Sequence, residues 1–134
     1  ILLGIGIVKN WHKEYGDKEV SLKIVDNVED AYKHINKFGS HHTDSIISEN
    51  KENIEKFMTF VDSANVYSNV STRFSDGFRY GFGAEVGIST NKTHARGPVG
   101  LEGLTIYKYK LFGNYQIVDD YVSHKSSFKH KIIK

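Results

Sequence analysis

The sequence predicts an α/β protein in which consecutive βαβ units place their strands in parallel. Three β-prone segments, at residues 19–25, 43–48 and 65–70, alternate with two segments whose apolar residues recur at helical spacing. Strands connected through helices run parallel, because each helical crossover returns the chain to the same end of the sheet. The chain has 134 residues, 39% of them hydrophobic, which fits about one folded domain.

An earlier apolar run, ILLGIGIV at residues 1–8, predicts a further buried strand. It is much shorter than the ~20 residues of a membrane helix, and it lacks the basic start and cleavage motif of a signal peptide. Because the chain begins with Ile1 rather than Met, we expect a processed chain or a fragment. Residues 19–25 (EVSLKIV) then alternate and are β-branched, which favours the first strand of the βαβ series.

Two helices are predicted between these strands. The first is expected to take Asp26 as its N-cap, with Glu29 completing a capping box and Gly39 ending the helix. Its apolar face consists of Val28, Ala31, Tyr32, Ile35 and Phe38. The second helix is expected to begin after Asn50 and to end at residues 62–63. Its apolar positions are Ile54, Phe57, Met58 and Val61.

Beyond the third strand the pattern becomes irregular. The stretch STRFSDGFRYGFGAEVG (residues 71–87) is rich in glycine, and we expect an irregular run to follow it. Residues 105–112 (TIYKYKLF) mix apolar residues with lysines, as an exposed or edge strand does. A turn at residues 113–114 is expected to lead into residues 115–118 (YQIV).

Charge and cysteine content exclude several classes of function. Lys and Arg number 18 against 16 Asp and Glu, so the net charge of +2 does not favour nucleic acid as the partner. The chain contains no cysteine, which excludes disulfide bonds, Cys-ligated zinc and a thiol nucleophile from these residues.

The glycine-rich stretch is a candidate anion site, because ligands of α/β sheets bind beyond the carboxyl ends of parallel strands. Arg73 and Arg79 can bind a carboxylate or phosphate through two hydrogen bonds, with the Ser71 and Thr72 hydroxyls as neutral donors. The glycines nearly form a dinucleotide-binding GxGxxG motif, but the third one is a residue late. The aromatic rings are expected to pack on the core of the protein rather than to stack on RNA.

Two further polar groups are candidates. Adjacent His41 and His42 can ligate a metal, but no clear third ligand accompanies them and we expect a solvated loop and no metal site. Glu85, His94 and Arg96 form the second group. The histidine and the arginine lie in HARGPVG, a turn made rigid by proline, and can present two donors to one anion.

The segment STRFSDGFRYGFGAEVGISTNKTHARGPVGLEGL resembles the C-terminal signature of the γ-glutamyl phosphate reductase (glutamate-5-semialdehyde dehydrogenase) family, in the aldehyde dehydrogenase superfamily. The resemblance extends through KEYGDKEVSLKIVDNVEDAYKHINKFG, HTDSIISEN, NVYSNVSTRF and YKYKLFG, over residues 14–120. It implies four parts: the latter part of a catalytic domain, a return segment toward the cofactor domain, an oligomerisation strand and a basic tail. Their ranges are residues 1–84, 85–103, 104–120 and 121–134.

The resemblance implies an enzyme of proline biosynthesis that reduces γ-glutamyl phosphate with NADPH to glutamate 5-semialdehyde and phosphate. In that family a cysteine thiolate displaces the phosphate, and the thioester then accepts a hydride from the cofactor. Because this chain has no cysteine, it supplies no catalytic residue, and we expect it to be inactive alone. The resemblance also implies a homo-oligomer in the cytoplasm, with a glutamate 5-kinase as separate partner or fused domain; in a fused pyrroline-5-carboxylate synthase the location is mitochondrial.

Individual residues carry over from the resemblance. Glu14, in KEYGD, corresponds to the glutamate that holds the nicotinamide ribose in related enzymes. The region that binds the substrate's α-carboxylate corresponds to Ser71, Thr72 and Arg73. For His94 and Arg96, ligand contact and bracing of the loop both remain open. A second hypothesis is a stand-alone module without catalysis, which keeps the fold for oligomerisation or anion binding.

Overall fold

The computed structural model describes residues 6–129 as a mixed α/β chain. The elements, in chain order, are α1 (Val28–Phe38), β1 (Thr43–Ile46), α2 (Lys51–Phe60), β2 (Asn65–Ser68), a 3₁₀ turn (Thr72–Phe74), β3 (Glu85–Ser89), β4 (Gly97–Gly100), a second 3₁₀ turn (Glu102–Leu104) and α3 (Val118–Val122). The predicted strand at residues 1–8 lies mostly outside the described residues, and its residues 6–8 are not in a strand. No helix in the described part has the length and hydrophobicity that crossing a bilayer requires.

Both predicted helices form, and each begins at an asparagine. The Asn50 side chain accepts a hydrogen bond from the Asn53 N–H at 3.0 Å, as expected for the second helix. The first helix begins one residue later than predicted: Asn27, not Asp26, is its N-cap and accepts from the Asp30 N–H at 2.8 Å. The predicted capping box is therefore wrong. Asn and Asp cap helices about equally well, so neighbouring candidates cannot be ranked from composition.

The core lies around helix α2, which packs against α1 and against β2. The buried apolar side chains of the described chain are Phe57 and Val61, from the end of α2. The helices contact each other through the Tyr32 and Phe60 rings, whose centroids are 5.2 Å apart. At the surface of this contact, Lys56 on α2 pairs with Glu29 on α1 at 3.0 Å.

Strands β1 and β2 pair in parallel across helix α2, which confirms one strand–helix–strand unit. Thr43 lies opposite Asn65, and Ile46 lies opposite Ser68. The expected strand at residues 19–25 does not join them: the segment is not in a strand, and Val20, Leu22 and Ile24 are each at least 79% exposed. A strand forms only where a neighbour takes up its backbone N–H and C=O groups, and the described chain offers this segment no such neighbour.

The run predicted to be irregular contains an antiparallel hairpin, β3 paired with β4. The pairing extends from Glu85 opposite Gly100 to Ser89 opposite Gly97, with a bulge between Glu85 and Gly87. The sequence pattern missed β4 because glycine and proline fill most of GPVG, and both residues are poor strand formers. Pairing with β3 therefore outweighs local propensity here.

The predictions for residues 105–118 are only partly confirmed. Residues 105–112 are exposed, as expected, but no strand forms there among the described residues. After the predicted turn, Ile117 is the N-cap residue of α3. Alternating apolar and polar residues fit a strand only when a partner strand covers one face.

Candidate functional site

The candidate site is the turn that follows β2, at residues 71–74, which we name the anchor turn. Ser71 caps it: its Oγ accepts from the Arg73 N–H at 3.2 Å, and its carbonyl accepts from the Phe74 N–H at 3.1 Å. The predicted substrate residues Ser71, Thr72 and Arg73 therefore share one tight turn, with all three exposed.

Side chains of the parallel sheet hold the anchor turn at both ends. Before the turn, the Ser45 hydroxyl on β1 donates to the Val70 carbonyl at 2.8 Å. After the turn, the Ser75 hydroxyl accepts from Thr43 Oγ1 and from Asn65 Nδ2, each at 3.0 Å. The turn is thus fixed to both strands although its own side chains face solvent.

Asn69 fixes the exit from β2 just before the turn. Its φ of 54° lies in the left-handed region, where asparagine is among the tolerated residues. Its side-chain amide donates to the Ser48 carbonyl and accepts from the Ser48 N–H, both at 2.9 Å. These two bonds tie the end of β2 to the segment that leaves β1.

The three arginines of the chain differ in their partners. Arg79 pairs with Asp76 at 2.9 Å, and Arg96 pairs with Asp62 at 2.9 Å. Arg73 has no carboxylate partner within the described residues. Of the two arginines proposed from the glycine-rich stretch, Arg73 is therefore the one whose guanidinium is available to an external anion.

The glycine-rich loop is closed by Glu85, a sequence candidate. Glu85 Oε2 accepts from the Gly77 N–H at 2.8 Å, and the Gly77 carbonyl accepts from the Phe82 N–H at 2.8 Å. A Cβ at Gly77 would lie 2.7 Å from the Gly83 carbonyl oxygen, so this close approach requires glycine. Glu85 thus orders the loop from within.

The aromatic residues of this loop do not all pack as predicted. Phe74, Phe78 and Phe82 are more than half exposed, which contradicts packing on the core of the described chain. Tyr80 is half-buried, and its hydroxyl bonds to Tyr67 and donates to Asn65 Oδ1. Burial, followed by the bond to Tyr67, raises the pKa of Tyr80 above its ordinary value.

The loop between β3 and β4 is attached to the end of α2 by an ion-pair cluster. Arg96 and Lys92 both contact the Asp62 carboxylate, and hydrogen bonds from Lys92 and then Arg96 hold the pKa of Asp62 below its ordinary range. His94 is exposed on the same loop. A ligand role for His94 and Arg96 stays a prediction, while the Asp62 contact gives Arg96 a bracing role in this geometry.

His41 and His42 do not lie in a solvated loop, contrary to expectation. Both are half-buried: His41 Nδ1 is 2.6 Å from the Asp62 carbonyl oxygen, and His42 Nδ1 is 2.7 Å from Thr43 Oγ1. The two rings thus serve the junction between the helices and β1. Within residues 6–129, no group of three metal-ligating side chains occurs.

Glu14, predicted to bind the cofactor ribose, is exposed in the segment that precedes α1. It forms no ion pair within the described chain. The structure therefore gathers Ser71, Thr72 and Arg73 into one turn and leaves Glu14 outside it. Sequence reasoning missed Asn65 and Asn69. An asparagine near a strand end can be an ordinary turn residue or can form structural hydrogen bonds, and the sequence does not distinguish these two roles.

Comparison with known proteins matches this mixed α/β segment to parts of larger proteins that are named as reductases. No family model matches the chain. It is 87% identical over 130 residues to γ-glutamyl phosphate reductase of Brachyspira hyodysenteriae, and 63% identical over 122 residues to the enzyme of that name from Acetivibrio thermocellus. These matches cover 97% and 91% of the chain but 30% and 28% of the relatives.

A solved structure agrees with the sequence comparison. The crystal structure of γ-glutamyl phosphate reductase from Thermotoga maritima matches with a TM-score of 0.72 and 50% identity. The match covers 80% of this chain and 26% of that protein. The chain is therefore similar, over nearly all of its length, to a part of γ-glutamyl phosphate reductase, and the resemblance read from the sequence is confirmed. It spans about 30% of the length of the curated relatives.

Proposed function

We propose that this chain is the C-terminal part of an NADPH-dependent γ-glutamyl phosphate reductase of the cytoplasm. The complete enzyme would convert L-glutamyl 5-phosphate and NADPH to L-glutamate 5-semialdehyde, phosphate and NADP in proline biosynthesis. The 87% identity to a reductase of that name and the TM-score of 0.72 to a second one support this proposal.

In this proposal the anchor turn binds the α-carboxylate of the substrate. The observation that carries this role is Arg73, an exposed arginine without a carboxylate partner in the described chain, on a turn fixed at both ends. A guanidinium binds a carboxylate through two parallel N–H donors, and the Ser71 and Thr72 hydroxyls add neutral donors. This arrangement distinguishes glutamyl substrates from aldehydes that lack the acid group.

The remaining chemistry requires groups from outside these 134 residues. The thiolate that accepts the acyl group cannot come from a chain without cysteine. NADPH supplies the hydride when it is bound. The exposed carboxylate of Glu14 fits the cofactor's ribose, because a carboxylate accepts hydrogen bonds from two hydroxyls.

The proposal includes an oligomer in which residues 104–120 contact a second copy of the chain. Tyr107, Tyr109 and Leu111 alternate along this segment and are each at least 83% exposed. Residues 105–112 belong to no strand of the described chain, so a strand of another subunit can pair with their backbone groups.

Replacing Arg73 by alanine in the complete enzyme tests the anchor. The assay follows the reverse reaction, in which glutamate 5-semialdehyde is oxidised with NADP and phosphate and NADPH absorbance is measured. We expect KM for the semialdehyde to rise about 30-fold, since a charged hydrogen bond contributes about 2 kcal/mol. The KM values for NADP and phosphate should stay within about twofold, because Arg73 contacts neither.

The matched control is Arg79→Ala, which removes an arginine from the same loop whose guanidinium is already paired with Asp76. It should leave KM for the semialdehyde near the wild-type value. An unchanged KM in Arg73→Ala would remove Arg73 from the substrate site. A rise confined to KM for phosphate would assign Arg73 to the phosphate group instead.

A further inference from the structure

Asn65, at the start of β2, is the most buried polar residue of the described chain, with 6% of its surface exposed. Its side-chain amide donates to Ser75 Oγ at 3.0 Å, to Thr43 Oγ1 at 3.2 Å and to the His42 carbonyl at 3.3 Å. Its carbonyl oxygen accepts from the Tyr80 hydroxyl at 2.8 Å. One amide therefore joins β1, β2 and both halves of the glycine-rich loop.

The contact from Asn65 reaches the anchor turn through Ser75. The Ser75 N–H donates to the Thr72 carbonyl at 3.1 Å, and this bond closes the turn that contains Arg73. At the other end, Ser45 holds the Val70 carbonyl. A shift at Ser75 would therefore move the backbone of Arg73 relative to the sheet, although Asn65 itself lies beneath the surface.

We propose that Asn65 is a positioning residue for substrate binding, which acts through Ser75 to hold the turn so that Arg73 is oriented before the anion arrives. The inference rests on the proposed function, because it takes Arg73 as the group that binds the α-carboxylate. A turn that is already ordered loses less conformational entropy on binding, so affinity is gained without a new contact to the ligand. Buried amides hold geometry well, because breaking their hydrogen bonds leaves polar groups unsatisfied.

A merely structural role for Asn65 makes a different prediction. Loss of a buried hydrogen-bond network lowers the thermal midpoint and reduces the fraction of folded enzyme, which lowers the apparent kcat with every substrate and leaves each KM unchanged. A positioning role raises KM for the substrate held by the turn and spares KM for NADP. It also requires that the effect depend on Arg73, since residues that act through one another are not additive.

The test is a double-mutant cycle in the complete enzyme with Asn65→Ala, Arg73→Ala and the combined variant. Asn65→Ala should raise KM for glutamate 5-semialdehyde about fivefold, the equivalent of one lost hydrogen bond. Its kcat and its KM for NADP should stay within about twofold of wild type. In the Arg73→Ala background, Asn65→Ala should raise KM for the semialdehyde no further.

The failures of the two proposals can be told apart. If Arg73→Ala raises KM but Asn65→Ala leaves it unchanged, or raises it equally in both backgrounds, the inference about Asn65 is overturned and the anchor stands. If Arg73→Ala itself leaves KM unchanged, the anchor fails, and the inference fails with it.

Ser75→Ala carries the test if Asn65→Ala does not fold. This variant removes the hydroxyl that accepts a hydrogen bond from the Asn65 amide, and it leaves the buried asparagine in place. A rise in KM that disappears in the Arg73→Ala background supports the inference, and no rise overturns it. The matched control is Ser89→Ala, whose hydroxyl accepts from the Asn91 N–H in the hairpin, away from the anchor turn.

Discussion

At the scale of single residues, the surroundings of a charge decide its role. The guanidinium of Arg73 is exposed without a carboxylate within the described chain, whereas those of Arg79 and Arg96 are paired. The free-energy cost of binding a carboxylate is small for an unpaired guanidinium on a fixed turn, because no internal ion pair must first be broken. The same residue type is thus paired with a carboxylate at two positions and open to an external anion at the third, where we propose the anchor.

The ion pairs of Asp62 with Lys92 and Arg96 brace the loop between β3 and β4, and their contribution to stability depends on pH. Hydrogen bonds from Lys92 and then Arg96 lower the pKa of Asp62 below the ordinary value of 3.8. A carboxylate whose pKa is lowered by folding contributes stability above its ordinary pKa, and this contribution is lost as the pH falls through the lowered value. The brace should therefore be fully present at neutral pH and weaken only below pH 3.8.

Asp62→Asn tests this brace in the complete enzyme. The variant should melt at a lower temperature than wild type at neutral pH. The difference should shrink as the pH falls from 3.8 through the lowered pKa, at which the folded wild-type carboxylate becomes neutral. Thermal midpoints measured across the pH range give the result. Arg96→Met removes one of the two cationic partners and leaves Lys92 in place, so it should show a smaller difference with the same pH dependence. A difference that does not change with pH would contradict the ion pair as its cause.

At the scale of elements, sequence periodicity predicts the helices and strands whose formation depends on interactions between residues close in the sequence. Helices α1 and α2 and strands β1 and β2 form close to their predicted positions, because their apolar faces and caps are encoded within a few residues. The hairpin partner β4 was missed, since its glycines and proline form a strand only when β3 is alongside.

Within the site, the exposed turn residues were predicted and the groups beneath them were not. Ser71, Thr72 and Arg73 follow a predicted strand, and their residue types suit an anion. The role of Asn65 depends on four contacts from segments between 10 and 23 residues away along the sequence. No local pattern reports such long-range contacts.

The segment at residues 105–112 gives the prediction that belongs to this scale. Leu111→Asp places a charge on the face formed with Tyr107 and Tyr109, and we expect it to shift the complete enzyme toward monomers, as an unpaired charge in an apolar contact is costly. Light scattering after size exclusion measures the mass. Lys110→Asp, at a neighbouring position outside this alternating apolar set, is the control and should keep the oligomer. An unchanged mass for Leu111→Asp would contradict the proposed contact.

At the scale of the whole molecule, the chain spans about 30% of its curated relatives, and its features fit a contribution to a shared site. The proposed substrate contact lies within residues 43–100, where the sheet, the anchor turn and the hairpin are joined by side-chain hydrogen bonds. The proposed reaction would take its thiolate nucleophile from outside this chain, which contains no cysteine. Apolar side chains left exposed at Val20, Leu22 and Ile24 fit a segment that further protein covers.

The central claim is that Arg73 binds the α-carboxylate, and a comparison of two aldehydes tests it most directly. The aldehydes are glutamate 5-semialdehyde and 4-aminobutanal, which has the same carbon chain and amine but no carboxylate. The measurement is kcat/KM for each with wild-type and Arg73→Ala enzyme. We predict that the substitution lowers kcat/KM about 30-fold for the semialdehyde and leaves that for 4-aminobutanal within about twofold. Equal losses for both aldehydes, or none for either, would contradict the claim.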